Sequence, residues 1–200
     1  MRVANEEEQA IAELESMLSC TTAMADALEY YLIEGNIFRT VMVRRPHGFE
    51  RITMSTGELL ASINLLQAKR ALLTNAQDAQ VDTILANIER TRAQLHTIFY
   101  EMIVREIMSR LDSINWFLHD CENGKEGCQI NFPAEIRNRQ RIEEMVNALG
   151  NELSVDVTER IDRIDQRIRQ ITHPADFIWP KDVKEIYPQE PYWYLYLLPE

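Results

Sequence analysis

Glycine and proline are scarce in this chain, six and seven residues in 200, so there are few places where a helix is obliged to stop. No run approaches the roughly 18 consecutive apolar residues that would suggest a membrane span. The opening MRVANEEEQ also lacks the basic-then-apolar order of a secretory signal. Missing too are a glycine-rich phosphate loop, a Gly-x-Ser-x-Gly elbow and a His-Glu-x-x-His stretch, so nucleophilic catalysis has no candidate constellation and no cofactor is implied. Basic charge is in deficit: 21 Lys and Arg against 32 Asp and Glu leave a formal net charge of -11, which argues against a surface built to neutralise nucleic-acid phosphates. Cys20, Cys121 and Cys128 are an odd number and too few for a disulfide framework. Reduced thiols in a cytoplasmic protein are therefore expected, since a Cys121 to Cys128 bridge would need an oxidising compartment.

What is present is patterned apolar sequence, 46% of residues being hydrophobic, enough to build a core. Over 5–32, Ile11, Leu14, Leu18, Thr21, Ala25, Leu28 and Leu32 recur at three- and four-residue steps and predict an amphipathic helix, closed by Gly35. Glu6, Glu7 and Glu8 lie in its first turns, where carboxylates suit the positive end of the helix dipole. Residues 40–55, TVMVRRPHGFERITMS, instead alternate: Val41, Val43, Ile52 and Met54 flank turn chemistry at Pro46 and Gly48, the pattern of a β-hairpin. A lone hairpin is marginal in water, so it must lie on helices or on a second copy.

Ser55-Thr56-Gly57-Glu58 has the form of a capping box and predicts a helix over 57–73. From 75 to 121 there is neither glycine nor proline, and apolar residues from Val81 to Leu118 keep a near-helical period. One helix over that span would reach about 65–70 Å, longer than a compact domain of this size is wide, so it bends or is shared with another chain. HDCENGKEGCQINFP, 119–133, reads as a loop, with Pro133 in the first turn of a helix ending near Leu149. Asp156 and Glu159 suggest a further capping box, before a narrow seam of Val157, Ile161, Ile164, Ile168 and Ile171. After Pro174 the texture turns to proline and aromatics, a tail over 174–200 that must dock to cover its rings. With no Gly/Ser-rich linker and no internal repeat, residues 1–200 are expected to form a single domain.

The fold these elements predict is mainly all-α: an elongated antiparallel bundle of about five helices, one inserted β-hairpin and an extended aromatic C-terminal tail.

Three functional readings follow. Arg44, Arg45, His47 and Arg51 gather positive charge at one turn of an acidic chain, which could seat an acidic partner or a phosphate. The acidic N-terminal helix of a second subunit is one candidate. These arginines could equally pair with Glu50 and carboxylates of adjacent helices, and discourage edge-to-edge aggregation. Together with Ile161, Ile164, Ile168 and Trp193 they are the expected partner-binding residues of a non-catalytic protein that forms a homodimer and binds another protein. In the second reading His119, Cys121 and Cys128 lie within ten positions and could supply three metal ligands, though not at the spacing of a zinc pair. A carboxylate-bridged site is excluded, because neither His96 nor His119 has a glutamate three residues before it. Thirdly, Arg167 and His173, with five residues between them at a helix end, resemble the Arg-x4-6-His pair of the HEPN family of helical ribonucleases. That resemblance implies metal-independent RNA cleavage near a dimer interface with these two residues in the site. Ile168 stands where that family usually has a polar residue.

Overall fold

Helix α1 (Arg2–Glu34) begins the chain and ends where Gly35 takes a positive φ of 76° and donates its N–H to the Tyr31 carbonyl at 3.2 Å. A side chain at that φ would clash with its own backbone, so the glycine fixes the helix end. The computed structural model describes the backbone of residues 2–199 and the side chains of 10–199. Glu6, Glu7 and Glu8 therefore have side chains outside the described residues. The buried face of α1 includes Leu14, Leu18, Thr21, Ala25, Leu28 and Leu32, as the period requires, with Met24 and Tyr31 added; Ile11 is exposed.

Strands β1 (Arg39–Arg45) and β2 (Gly48–Met54) form the expected hairpin, in a register that pairs Arg45 with Gly48 and Val41 with Ile52. Helix α2 (Thr56–Ala68) starts at Ser55, whose hydroxyl accepts the Glu58 N–H at 3.1 Å. Helix α3 (Asn75–Gln94) starts at Thr74 with a reciprocal box to Gln77. Helix α4 (His96–Glu122) follows after one residue.

The expected single helix over 75–121 is therefore two. Leu95 leaves the helical region at φ -116°, ψ 33°. Its N–H still reaches the Thr91 carbonyl at 2.9 Å and its carbonyl still accepts from Phe99 at 2.8 Å. The interruption thus costs little hydrogen bonding and needs no glycine or proline to permit it.

Helix α5 (Cys128–Glu135) carries Pro133 in its interior. Proline offers no N–H and crowds the carbonyl four residues back, and the helix stops within two residues. Helix α6 (Arg137–Leu149) resumes after Ile136, so the helix expected over 133–149 is also divided. Helix α7 (Val155–Ile171) is capped from Ser154 without a side-chain bond, and the Asp156 to Glu159 box is not formed. Strand β3 (Thr172–Pro174) then pairs antiparallel with β4 (Leu197–Pro199), the last described residues.

Backbone contacts divide the chain into two compact units, Met1–Ile103 and Val104–Glu200. In the first, α1 packs against α2, α3 and β1, with Val43, Met54, Leu59 and Leu66 sealed from solvent. In the second, Ile107, Leu111 and Leu118 of α4, Ile142 and Met145 of α6 and Ile168 of α7 are buried, as are Tyr187, Tyr194 and Leu195 of the C-terminal segment. That segment is a series of 3-10 turns rather than an extended tail. Its rings meet edge to face, Trp179 on Tyr187 at 5.4 Å and Tyr187 on Tyr192 at 4.9 Å, each contact contributing about 0.5–1.5 kcal/mol beyond area burial. The protein is thus mainly α-helical, with an inserted hairpin and an aromatic C-terminal cluster. No helix among the described residues is long and apolar enough to cross a membrane.

Candidate functional site

The hairpin presents two different faces. Alternation turns Val41 and Val43 inward, where both are buried, and turns Thr40, Met42 and Arg44 outward. The register sets Met42 opposite Arg51 and Arg44 opposite Phe49. The outer face is therefore a checkerboard of two arginines and two apolar side chains, Met42 at 50% exposure and Phe49 at 69%.

The four basic residues expected at this turn divide. Arg45 is held: it donates to Glu50 at 2.7 Å and to the Cys20 sulfur at 3.2 Å, and the Glu50 bond pushes its pKa up. Arg39, missed by the sequence reading, pairs with Glu34 and lies 4.2 Å over the Tyr30 ring. The side chains of Arg44, His47 and Arg51 are exposed and make no hydrogen bond or ion pair among the described residues. Pairing with neighbouring carboxylates accounts for Arg45 and not for these three.

Beside β1 runs an open trough of 660 Å³, lined by Thr40, Met42 and Arg44 of the strand, by Thr22 and Asp26 of α1 and by Gln80 of α3. No β2 residue lines it, so it follows the edge of β1 that faces away from the hairpin partner.

The second unit holds a buried polar cluster that sequence reasoning missed. Arg139 of α6 donates to both oxygens of Asp165 on α7, at 2.7 and 3.0 Å, and to Glu143 at 2.9 Å. The next residue, Gln140, donates to Glu144 at 2.6 Å, and the Tyr192 hydroxyl donates to the same carboxylate at 3.1 Å. All of these side chains are buried. Burial alone would lower the Arg139 pKa; the hydrogen bonds and charge of Asp165 outweigh it and the net shift is upward. Burial, then the charge and hydrogen bond of Glu144, push the Tyr192 pKa above its ordinary range. Tyr194 is pushed up chiefly by burial, against the opposing charge of Arg139, whose guanidinium lies 5.0 Å from its ring. The Tyr194 hydroxyl has no hydrogen-bond partner among the described residues. The one sequence signal was indirect: a tail rich in tyrosine must find partners for its hydroxyls.

The remaining predicted residues are placed as follows. Ile161, Ile164 and Ile168 are buried inside the second unit, so the seam faces this chain's own core. Trp193 is half-buried beneath Arg169, 3.7 Å from its ring centre. Arg167 is held by Glu122 at 2.8 Å and by Asn115. His173 is exposed on β3, opposite Leu198.

The expectation of reduced thiols is corrected at Cys121 and Cys128, which form a disulfide with Cα atoms 5.6 Å apart, while Cys20 is free. Seven residues of separation across the Gly124 and Gly127 turns bring the two sulfurs together. Neither sulfur is then a thiolate able to ligate a metal beside His119, and no metal-binding group of His, Cys, Asp and Glu occurs among the described residues. Comparison of the chain with known protein families, with curated proteins and with solved structures finds no match.

Proposed function

We propose that this is a non-catalytic binding protein whose contact surface for another protein is the outer face of the hairpin. One observation carries the reading: Arg44 and Arg51, exposed and unpaired among the described residues, alternate with exposed Met42 and Phe49 on a face that none of the other described elements covers. A charged and apolar checkerboard supplies both halves of a recognition surface, steering and register from the arginines and buried area from the apolar side chains. The chain's overall charge of -11 makes the patch a local exception, which suits an acidic partner.

Self-association, expected from the sequence, has less to rest on. The isoleucine seam is occupied by the chain itself, and the long helix is interrupted at Leu95. A cytoplasmic location also loses the support of reduced thiols, since the Cys121–Cys128 bridge favours an oxidising compartment.

The test is affinity capture from cell extract followed by mass spectrometry, with the wild-type chain and with an Arg44→Glu, Arg51→Glu variant as paired baits. A protein held by the first and lost from the second is the expected result. Identical captured sets from the two baits would overturn the reading.

A further inference from the structure

The hairpin's geometry also says how a partner would bind. β1 and β2 are joined by the two residues Pro46 and His47, closing on the pair Arg45 and Gly48. In a hairpin with so short a loop the closing pair exchanges hydrogen bonds, and bonded and non-bonded pairs alternate from there. Arg45, Val43, Val41 and Arg39 therefore turn their N–H and C=O groups toward β2. Arg44, Met42 and Thr40 turn theirs the other way, to the free edge of β1. No backbone bond from another described element reaches these three. Their edge borders the trough whose far wall is α1, so the unpaired groups face open space rather than packed protein.

We infer that an extended acidic segment of a partner protein adds to the free edge of β1 as a third strand, lying in this trough. The inference rests on the hairpin being a binding surface and specifies its mode. An unpaired edge supplies main-chain affinity, and alternate side chains supply selectivity. On the outer face the added strand's neighbours are Thr40, Met42 and Arg44, so an apolar residue opposite Met42 and a carboxylate two positions away opposite Arg44 complete the match. Charge decides the occupant. A second copy pairing antiparallel about Met42 would set Thr40, not a carboxylate, opposite Arg44, whereas an acidic strand meets that arginine with opposite sign.

A library of short random peptides selected on the full chain tests this, with amide exchange of the hairpin as the structural readout. Recovered peptides should carry acidic residues alternating with apolar ones. The amides of Met42 and Arg44 should gain protection when such a peptide is bound, because those are the groups the new strand pairs. Met42→Pro deletes an edge donor without removing a bond to β2, and should lose binding. Arg44→Glu should lose the acidic peptides and accept versions with lysine in place of the acid, a reversal that no folding defect imitates. Recovery of no peptides, of peptides without acidic excess, or of peptides that leave edge exchange unchanged would overturn strand addition. So would a single-stranded oligonucleotide competing at the same arginines. If strand addition fails while the protein captured from extract still depends on Arg44 and Arg51, the hairpin remains the contact surface and only its mode is wrong.

Discussion

Replacing Arg139 by methionine removes the cation that both Asp165 and Glu143 face. The three side chains are 6%, 8% and 12% exposed, so the two carboxylates are left without compensation where water barely reaches. Breaking a buried pair in this way costs about 3–5 kcal/mol, because the stranded charge keeps its desolvation penalty and loses its attraction. A unit of about a hundred residues melts about 4–8 °C lower for each kcal/mol lost, so the expected fall is at least about 12 °C. Trp116, Trp179 and Trp193 all lie in the second unit and are the chain's three tryptophans, so their fluorescence in urea reports that unit alone. Replacing all three members, Arg139→Met with Glu143→Met and Asp165→Leu, should recover most of the loss, since apolar residues of similar volume carry no desolvation debt. A single variant within about 1 kcal/mol of wild type, or a triple variant no better than the single, would refute the reading of this cluster as a buried charge network.

The two buried tyrosines should part company. Tyr192→Phe loses a bond to a carboxylate and should cost about 1.5–3 kcal/mol, whereas Tyr194→Phe removes a buried hydroxyl with no described partner and should be neutral or stabilising in the same urea titration. Both pKa values are raised in the folded chain, so their contribution is fully present below the unfolded tyrosine value of about 10 and is lost as pH rises through the folded values. Stability measured from pH 9 upward should accordingly fall less steeply in either phenylalanine variant. Thiol titration of the denatured, unreduced protein should find Cys20 alone; replacing Cys121 and Cys128 by serine should cost about 2 kcal/mol through the freed loop. Deleting residues 175–200 strips Phe177, Tyr187, Tyr192, Tyr194 and Leu195 from the core of the second unit, at about 1.5–3 kcal/mol each. That total rivals a domain's whole stability, so the backbone amides of α6 and α7 should lose their exchange protection in the truncated chain; unchanged protection there would show that the segment is not core.

Features specified over a few neighbouring residues were legible. Ser55 and Glu58 announce the start of α2 because a cap is a contact between positions three apart. The hairpin is legible because a period of two and a Pro-x-Gly turn do not fit a helix. The break at Leu95 is not, since the buried residues Ile88, Thr91, Phe99 and Met102 carry the helical period straight through it. The polar cluster is hidden for a different reason: Arg139 with Glu143, and Gln140 with Glu144, have the spacing of ordinary solvated pairs on a helix surface. What buries them arrives from Asp165, Tyr192 and Tyr194, far along the chain. In the hairpin, sequence located the arginines but could not sort Arg45, tied to Glu50, from Arg44 and Arg51, which are exposed without such a tie.

The hairpin's role is tested most directly by amide hydrogen exchange on the chain alone and bound to the protein it captures from extract. The account predicts new protection in residues 40–53, strongest at Met42 and Arg44. Protection confined to the second unit, with the hairpin exchanging as it does in the free chain, would contradict it.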